Sequence, residues 1–307
     1  MKEVSSTRIS GRVLLADIGG TNARFALLID GKLGPIAHMA VCNYSNFRKA
    51  FDDYLSGLPD ISMIRAAILA ASGTIQNGRC ALTNNAWIID AAELRGIYGI
   101  STVRLINDFE AVAWSLPRLS PDMLLPLGAR EPITGAPLAA LGPGTGLGMA
   151  ICIPHANDHL VFSSEGGHCT AAGNSLREDA VIQHLRRRFG HVSAERILSG
   201  GGLENLYDAL AELDSVKLPK RRAAEIVQVG LAGTCSTSCA ALDMFCAMLG
   251  SVAGNLALTL GAKGGIFIGG GILCHMPEYL ARSQFRERFE KRDDSINTWK
   301  QSPLILF

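Results

Sequence analysis

The stretch "LLADIGGTNARFALL", residues 14–28, sets an aspartate, two glycines, a threonine and an asparagine between two apolar runs. Backbone N–H groups and hydroxyls gathered in a tight turn form an anion nest, and a carboxylate beside it can hold a metal-bound water. Asp17, Gly19, Gly20, Thr21 and Asn22 are therefore candidates for contact with phosphate. The segment "LAALGPGTGLGMAICI", residues 138–153, repeats the plan with Gly144, Thr145 and Gly146. Two such turns could clamp a phosphate chain from two sides, while each alone also reads as an ordinary tight turn. Neither is a Walker A loop, because no Gly-Lys-Ser/Thr follows, and Leu147 stands where G-x-G-x-x-G needs its third glycine. A third cluster, Gly269-Gly270-Gly271, lets a flat group approach the backbone closely.

Acid, base and hydroxyl-binding chemistry has its own candidates. Asp108 follows Asn107 at the end of the apolar run "VRLI", ahead of the helical stretch "FEAVAWSL", where an aspartate also reads as a helix cap. Glu165 and His168 share the segment "SSEGGHCT", which also reads as a solvated loop. Glu195 follows Ser193, and a carboxylate in a first helical turn is favourable in its own right.

The elements that must position these residues alternate. Residues 12–29 read as strand, glycine turn, strand; 45–56 as helix; "IRAAILAAS" (64–72) as a strand. A short helix and the strand "VRLI" follow within 81–106, and "FEAVAWSL" stops before Pro117. Five prolines from Pro117 to Pro137 mark a connecting region, after which the second hairpin begins. Helices are expected over 175–188, 193–199, 202–213, 222–231 and 235–261, with "GGIFIGGGIL" (264–273) a strand ending in glycines. Recurrence of the hairpin suggests a duplicated architecture, and strands mixed with helices indicate an α/β protein.

Bulk properties narrow the class. The 307 residues are 48% hydrophobic and 19% charged, which is globular and long enough for two domains. A formal net charge of +1 supplies no basic field for nucleic acid or an acidic membrane. The eight cysteines show no C-x-x-C spacing for zinc, and several sit in apolar runs as reduced thiols do. Cys235 and Cys239, four apart on one helix face, read as packing residues rather than metal ligands. The N-terminus begins polar, without a secretory pattern, so a cytoplasmic protein is expected. Residues 237–260 are long and largely apolar, but Asp243 and Asn255 interrupt the run and favour a buried core helix over a membrane span.

Seven segments occur together and in order: "DIGGTNARFAL", "LTNNAW", "INDFEAVAWSLP", "GPGTGLGMA", "EGGH", "GHVSAERILSG" and "IFIGGGI". With them the chain resembles the bacterial glucokinase family. The resemblance implies a two-domain actin-like ATPase (ribonuclease H-like) α/β fold, with mixed sheets flanked by helices and an interdomain cleft. It implies a small domain over 1–117 carrying the first phosphate hairpin, and a large one over 118–307 with the second hairpin and an adenosine glycine motif. ROK sugar kinases, with their cysteine-rich zinc motif, are a separate group.

By the same resemblance, the activity is ATP-dependent phosphorylation of glucose to glucose 6-phosphate, the first step of glycolysis. Asp108 is the implied catalytic base. Asn107, Asp108, Glu165, His168 and Glu195 hold the sugar. ATP phosphates meet Asp17, Gly19, Gly20, Thr21, Asn22, Gly144, Thr145 and Gly146, and the adenosine part meets Gly270 and Gly271. Mg²⁺ bridges the phosphates and is held by Asp17 through water. The resemblance further suggests a homodimer, and a glycine turn and terminal helix beyond "SPLILF". A kinase for another hexose, and a sugar-sensing regulator with impaired turnover, remain the alternatives.

Overall fold

The computed structural model describes residues 11–83, 85–128, 131–291 and 303–307; the polar N-terminal start read above lies outside them. The chain divides into two compact units, one running to Ala111 and the other beginning at Val112.

In the first unit, β1 (Arg12–Ile18) and β2 (Asn22–Ile29) form the expected hairpin, followed by the short β3 (Lys32–Leu33) and β4 (Ala37–Ala40). Helix α1 (Phe47–Ser56) is capped by Asn46, whose side chain accepts the Lys49 N–H. Then come β5 (Ile64–Ala71), the small strands β6 (Ile75–Gln76), β7 (Arg79–Ala81) and β8 (Ile88–Asp90), α2 (Ala91–Tyr98), β9 (Thr102–Asn107) and α3 (Asp108–Ser115). The main sheet runs β3-β2-β1-β5-β9, with β4 also on β2. Strands β1, β5 and β9 are parallel, so their C-terminal ends, at Ile18, Ala71 and Asn107, share one edge of the sheet. The apolar alternation of β2 sends Phe25 into an aromatic cluster with Phe47, Phe51 and Tyr54, and the Phe25 and Tyr54 rings stack at 5.1 Å. That cluster fixes α1 against the sheet.

The second unit opens with β10 (Leu125–Pro126) and its own hairpin, β11 (Leu138–Pro143) with β12 (Leu147–His155), followed by β13 (Asp158–Ser164). Helices α4 (Leu176–Phe189), α5 (Gly200–Leu213), α6 (Ala223–Leu231) and α7 (Ser236–Leu260) precede β14 (Gly265–Ile268), α8 (Pro277–Arg282), α9 (Phe285–Glu290) and β15 (Leu304–Leu306). The sheet order is β10-β15-β14-β11-β12-β13. Helix α7 is long and apolar enough by composition to cross a membrane, yet 72% of its most apolar window is buried inside the unit. Its Phe245, Leu249 and Ala253 belong to the same core as Tyr207 of α5 and Phe285 of α9.

The expected helix over 193–199 is not formed. Ser193 bridges to Thr170, and the chain makes short turns, with Arg196 N–H on the Ser193 carbonyl and Ile197 N–H on the Ala194 carbonyl. Ser199 then caps α5 by accepting the Gly202 N–H at 2.9 Å, so the helix starts at Gly200. Local propensity yields here to pairing with 167–170.

One buried ion pair ties three helices of the second unit. Arg288 of α9 donates to both carboxylate oxygens of Glu178 on α4, at 2.7 and 2.9 Å, and to Ser251 of α7. Both side chains are almost entirely buried. Glu178→Ala should cost about 3–5 kcal/mol, because it leaves a buried guanidinium without its carboxylate. Urea unfolding checks this; a loss below ~1 kcal/mol would show that the pair does not hold these helices together.

Candidate active site

In the first unit the β1–β2 turn is closed by the Gly19 N–H on the Asn22 carbonyl at 2.9 Å. Asp17 and Arg24 face each other in the hairpin register, and the Arg24 guanidinium lies 2.5 Å from the Asp17 carboxylate. Both are about half exposed, so the pair orients the carboxylate more than it stabilises the fold. Thr21 and Asn22 are exposed at the tip, and the Thr21 carbonyl accepts the Val41 N–H, which pins the turn to the end of β4. Asp17 thus supplies one oriented carboxylate beside the β1–β2 turn.

Asn107 ends β9 and Asp108 begins α3. The Asn107 side-chain oxygen accepts the N–H groups of Phe109 at 2.9 Å and Glu110 at 3.4 Å. Asn107 therefore caps the start of α3. The Asp108 carboxylate also accepts the Phe109 N–H, at 2.9 Å, and is half-buried. With its oxygen engaged in the cap, the Asn107 side chain has its NH2 group to offer as a donor.

In the second unit three segments converge on the β11–β12 turn. The turn closes through the Gly144 N–H on the Gly146 carbonyl at 2.8 Å, and Gly200 at the head of α5 donates to the Gly144 carbonyl at 2.9 Å. Glu195 accepts the Leu147 N–H at 2.9 Å, and its carboxylate lies against Gly146. The Glu195 N–H in turn donates to the Gly167 carbonyl at 2.8 Å. One residue thus joins the glycine turn to the "EGGH" segment. The carboxylate is engaged by a strand N–H, not by the first turn of a helix as its spacing from Ser193 suggested.

The segment 165–168 is a single 3-10 turn, closed by the His168 N–H on the Glu165 carbonyl at 3.0 Å. Gly167 is buried against the Leu147 carbonyl, so closely that any Cβ would collide with it. Glu165 and His168 project outward, with 3.7 Å between Nε2 and the carboxylate, which is beyond hydrogen-bond reach. Both side chains remain exposed. Gly270, at φ +115°, lies on the Pro143 carbonyl at the start of the same turn, so only glycine fits there. Gly144 and Gly271 each face open space, and Thr145 is exposed at the tip. The structure therefore gathers Gly144, Thr145, Gly146, Glu165, His168, Glu195 and Gly270 around one turn of the second unit.

Sequence reasoning passed over Arg24, Gly167, Ser199 and Gly200. Arg24 had a signal, since it is the cross-strand mirror of Asp17 about a four-residue turn. Gly167 and Gly200 act through backbone groups, which side-chain chemistry does not advertise, and Ser199 acts through its hydroxyl as the cap of α5. Among the described residues no three His, Cys, Asp or Glu side chains gather as a metal site. The single carboxylate of Asp17 fits the other mode, in which Mg²⁺ keeps its waters and takes its remaining ligands from phosphates.

Comparison with known proteins extends this picture. A family model described as Glucokinase matches residues 14–306. The chain is 43% identical to the glucokinase of Paramagnetospirillum magneticum over 284 residues, 92% of this chain and 88% of the relative. It superposes on the crystal structure of a glucokinase from an Antarctic psychrotroph with a TM-score of 0.84 at 35% identity, covering 96% of this chain and 94% of that one. The glucokinase of Balamuthia mandrillaris, solved with glucose, shares the fold at 21% identity and a TM-score of 0.79, over 98% of this chain and 91% of that one. ROK-family sugar kinases share it too, so the fold is the actin-like α/β fold of the sugar kinases.

The clamp on the Leu147 N–H is directly measurable. Glu195→Ala should speed hydrogen exchange at that amide by about tenfold or more, matching the ~1.5–3 kcal/mol of a hydrogen bond to a charged group. Glu195→Gln keeps an acceptor oxygen and should preserve most of the protection. Equal exchange in all three proteins would mean that the contact does not persist in solution.

Proposed function

The chain belongs to the glucokinase family, and on that premise we propose how its residues transfer the γ-phosphoryl group of ATP to glucose. Glucose is held by Asn107 and Asp108 and by Glu165, His168 and Glu195. Asn107 donates from its amide. Glu165 accepts, and His168 donates or accepts as its tautomer requires. A site of such groups discriminates against sugars lacking a hydroxyl, since its own polar groups would be left unpaired.

Asp108 takes the proton of the attacking hydroxyl as that oxygen bonds to the γ-phosphorus and the bond to the β-phosphate oxygen breaks. Phosphoryl transfer asks mainly for positioning, so a carboxylate of modest basicity suffices. The phosphates are held by the turn N–H groups and by Thr21 and Thr145, with Asp17, Gly19, Gly20 and Asn22 in the first turn and Gly144 and Gly146 in the second. Gly270 and Gly271 receive the adenosine part. Mg²⁺, held by Asp17 through water, would neutralise phosphate charge. Arg24 keeps the Asp17 carboxylate oriented for that contact.

The observation that carries this reading is the hydrogen-bonded unit of Gly167, Glu195 and Leu147, which fixes sugar-binding groups to a phosphate-binding turn. The product, glucose 6-phosphate, starts glycolysis, and the eight free cysteines support a reducing, cytoplasmic location.

A coupled assay of ADP release across several hexoses tests the assignment, with glucose expected to be the preferred acceptor. Asp108→Asn should lower turnover by at least ~10²-fold while glucose binding, followed by calorimetry, stays nearly intact. Near-normal turnover in that variant would remove Asp108 as the base. Glu165→Gln should raise the glucose KM more than the ATP KM; the opposite pattern would place the "EGGH" turn on the nucleotide.

A further inference from the structure

Beside Cys169, which is exposed, the cysteines of this chain fall into three kinds. Cys80, Cys152 and Cys246 are buried, and burial pushes their thiols up, that of Cys246 to about 12. Cys42, Cys239 and Cys274 face oxygen acceptors: the Asn43 side chain at 3.7 Å, the Gly230 carbonyl at 3.4 Å and the Gly271 carbonyl at 3.2 Å. Such acceptors take the S–H as a donor. Cys235 is different, because the Arg221 guanidinium donates to its sulfur.

Cys235 is the N-terminal capping residue of α7, a helix of 25 residues, so its sulfur sits where the helix presents unpaired N–H groups. The first N–H groups of the helix, those of Thr237 and Ser238, lie near it without making a hydrogen bond of normal geometry to the sulfur. The Arg221 guanidinium, from the connection between α5 and α6, lies 3.5 Å from the sulfur and also donates to the Tyr207 hydroxyl at 2.5 Å. Ser238 is fully buried, and its hydroxyl makes no hydrogen bond of normal geometry among the described residues, although it faces the Cys235 sulfur. A thiolate would accept that orphaned hydroxyl, whereas a neutral thiol is a weak acceptor. Burial opposes ionisation here, but the Ser238 hydroxyl and N–H, Arg221 and the Thr237 N–H together hold the thiol below its usual range. The titratable groups around the sulfur are Arg221 and, from α5, Tyr207, whose own phenol is pushed up by burial. The side chain remains partly exposed.

We propose that Cys235 is a modification site, a reactive thiolate that exchanges with small-molecule disulfides. The thiolate attacks one sulfur of the disulfide, a new S–S bond forms, the old one breaks, and the departing thiolate leaves with the electron pair. The adduct is a mixed disulfide on Cys235, reversed by excess thiol. Its bulk lands where Arg221 rests against Tyr207.

Two probes test this on the full chain: limiting iodoacetamide across neutral to alkaline pH, and glutathione disulfide at neutral pH, each followed by peptide mass mapping. Cys235 should label several-fold faster than Cys42, Cys169 and Cys274 at neutral pH, with its rate levelling off at lower pH than theirs. Glutathione disulfide should modify Cys235 first, reversibly, and Cys235→Ser should abolish that adduct. Arg221→Gln and Ser238→Ala should each slow Cys235 several-fold at neutral pH and leave the Cys274 rate unchanged. If Arg221→Gln fails to fold by circular dichroism, Ser238→Ala carries the test, since it removes only a hydroxyl. Faster labelling at another cysteine, or an unmoved Cys235 profile in a folded Ser238→Ala protein, would overturn the proposal.

Discussion

A glycine turn cannot hold phosphate unless something fixes its backbone, and in the second unit that constraint is met by one carboxylate. Glu195 accepts the Leu147 N–H, while its own N–H is anchored on Gly167. The turn is thereby held from the side, and its tip is left open at Gly144 and Thr145. The neighbouring features serve this contact. Gly167 must lack a side chain to reach the Leu147 carbonyl, Ser199 caps α5, and Gly200 secures the Gly144 carbonyl. Fixing the N–H groups before a ligand arrives is the preorganisation that makes an anion site strong.

The first unit reaches a comparable end by other means. Its turn is stabilised by the register of β1 and β2, which sets Asp17 opposite Arg24. Asn107 holds the first turn of α3 with its oxygen, and Asp108 follows the C-terminal end of β9, in the parallel part of a mixed sheet. That is where open α/β sheets place ligand-binding groups. Behind both sites lie separate apolar cores, one around Phe25 and Phe51, the other around Tyr207 and Phe245.

Much of the fold was legible because its signals are local. Apolar alternation around Gly19-Gly20 and Gly144 marks two hairpins, and the apolar runs at 64–71 and 265–268 are buried strands. The long apolar stretch after Cys235 is a core helix, as Asp243 and Asn255 hinted. The 193–199 segment misled, because a serine followed by a carboxylate is a helix-start pattern, whereas the partners that decided it, Gly167, Cys169 and Thr170, are distant in sequence. At the start of α3, Asn107 also takes part in the cap. Asp and Asn are both good caps, and sequence does not say which of two adjacent residues turns its oxygen to the helix. The side-chain candidates of the site were readable; the backbone contacts that arrange them were not.

If the sugar and the phosphates occupy the 165–168 turn and the β11–β12 turn, and each ligand further tightens the Glu195 contact that joins them, a ligand at one is felt at the other. The most direct measurement is calorimetric titration of a non-hydrolysable ATP analogue with and without saturating glucose, and of glucose with and without the analogue. Coupling through the shared contact predicts that each tightens the other by the same factor, about fivefold or more, as linkage requires. Independent binding, with equal affinities in both arms, would contradict it.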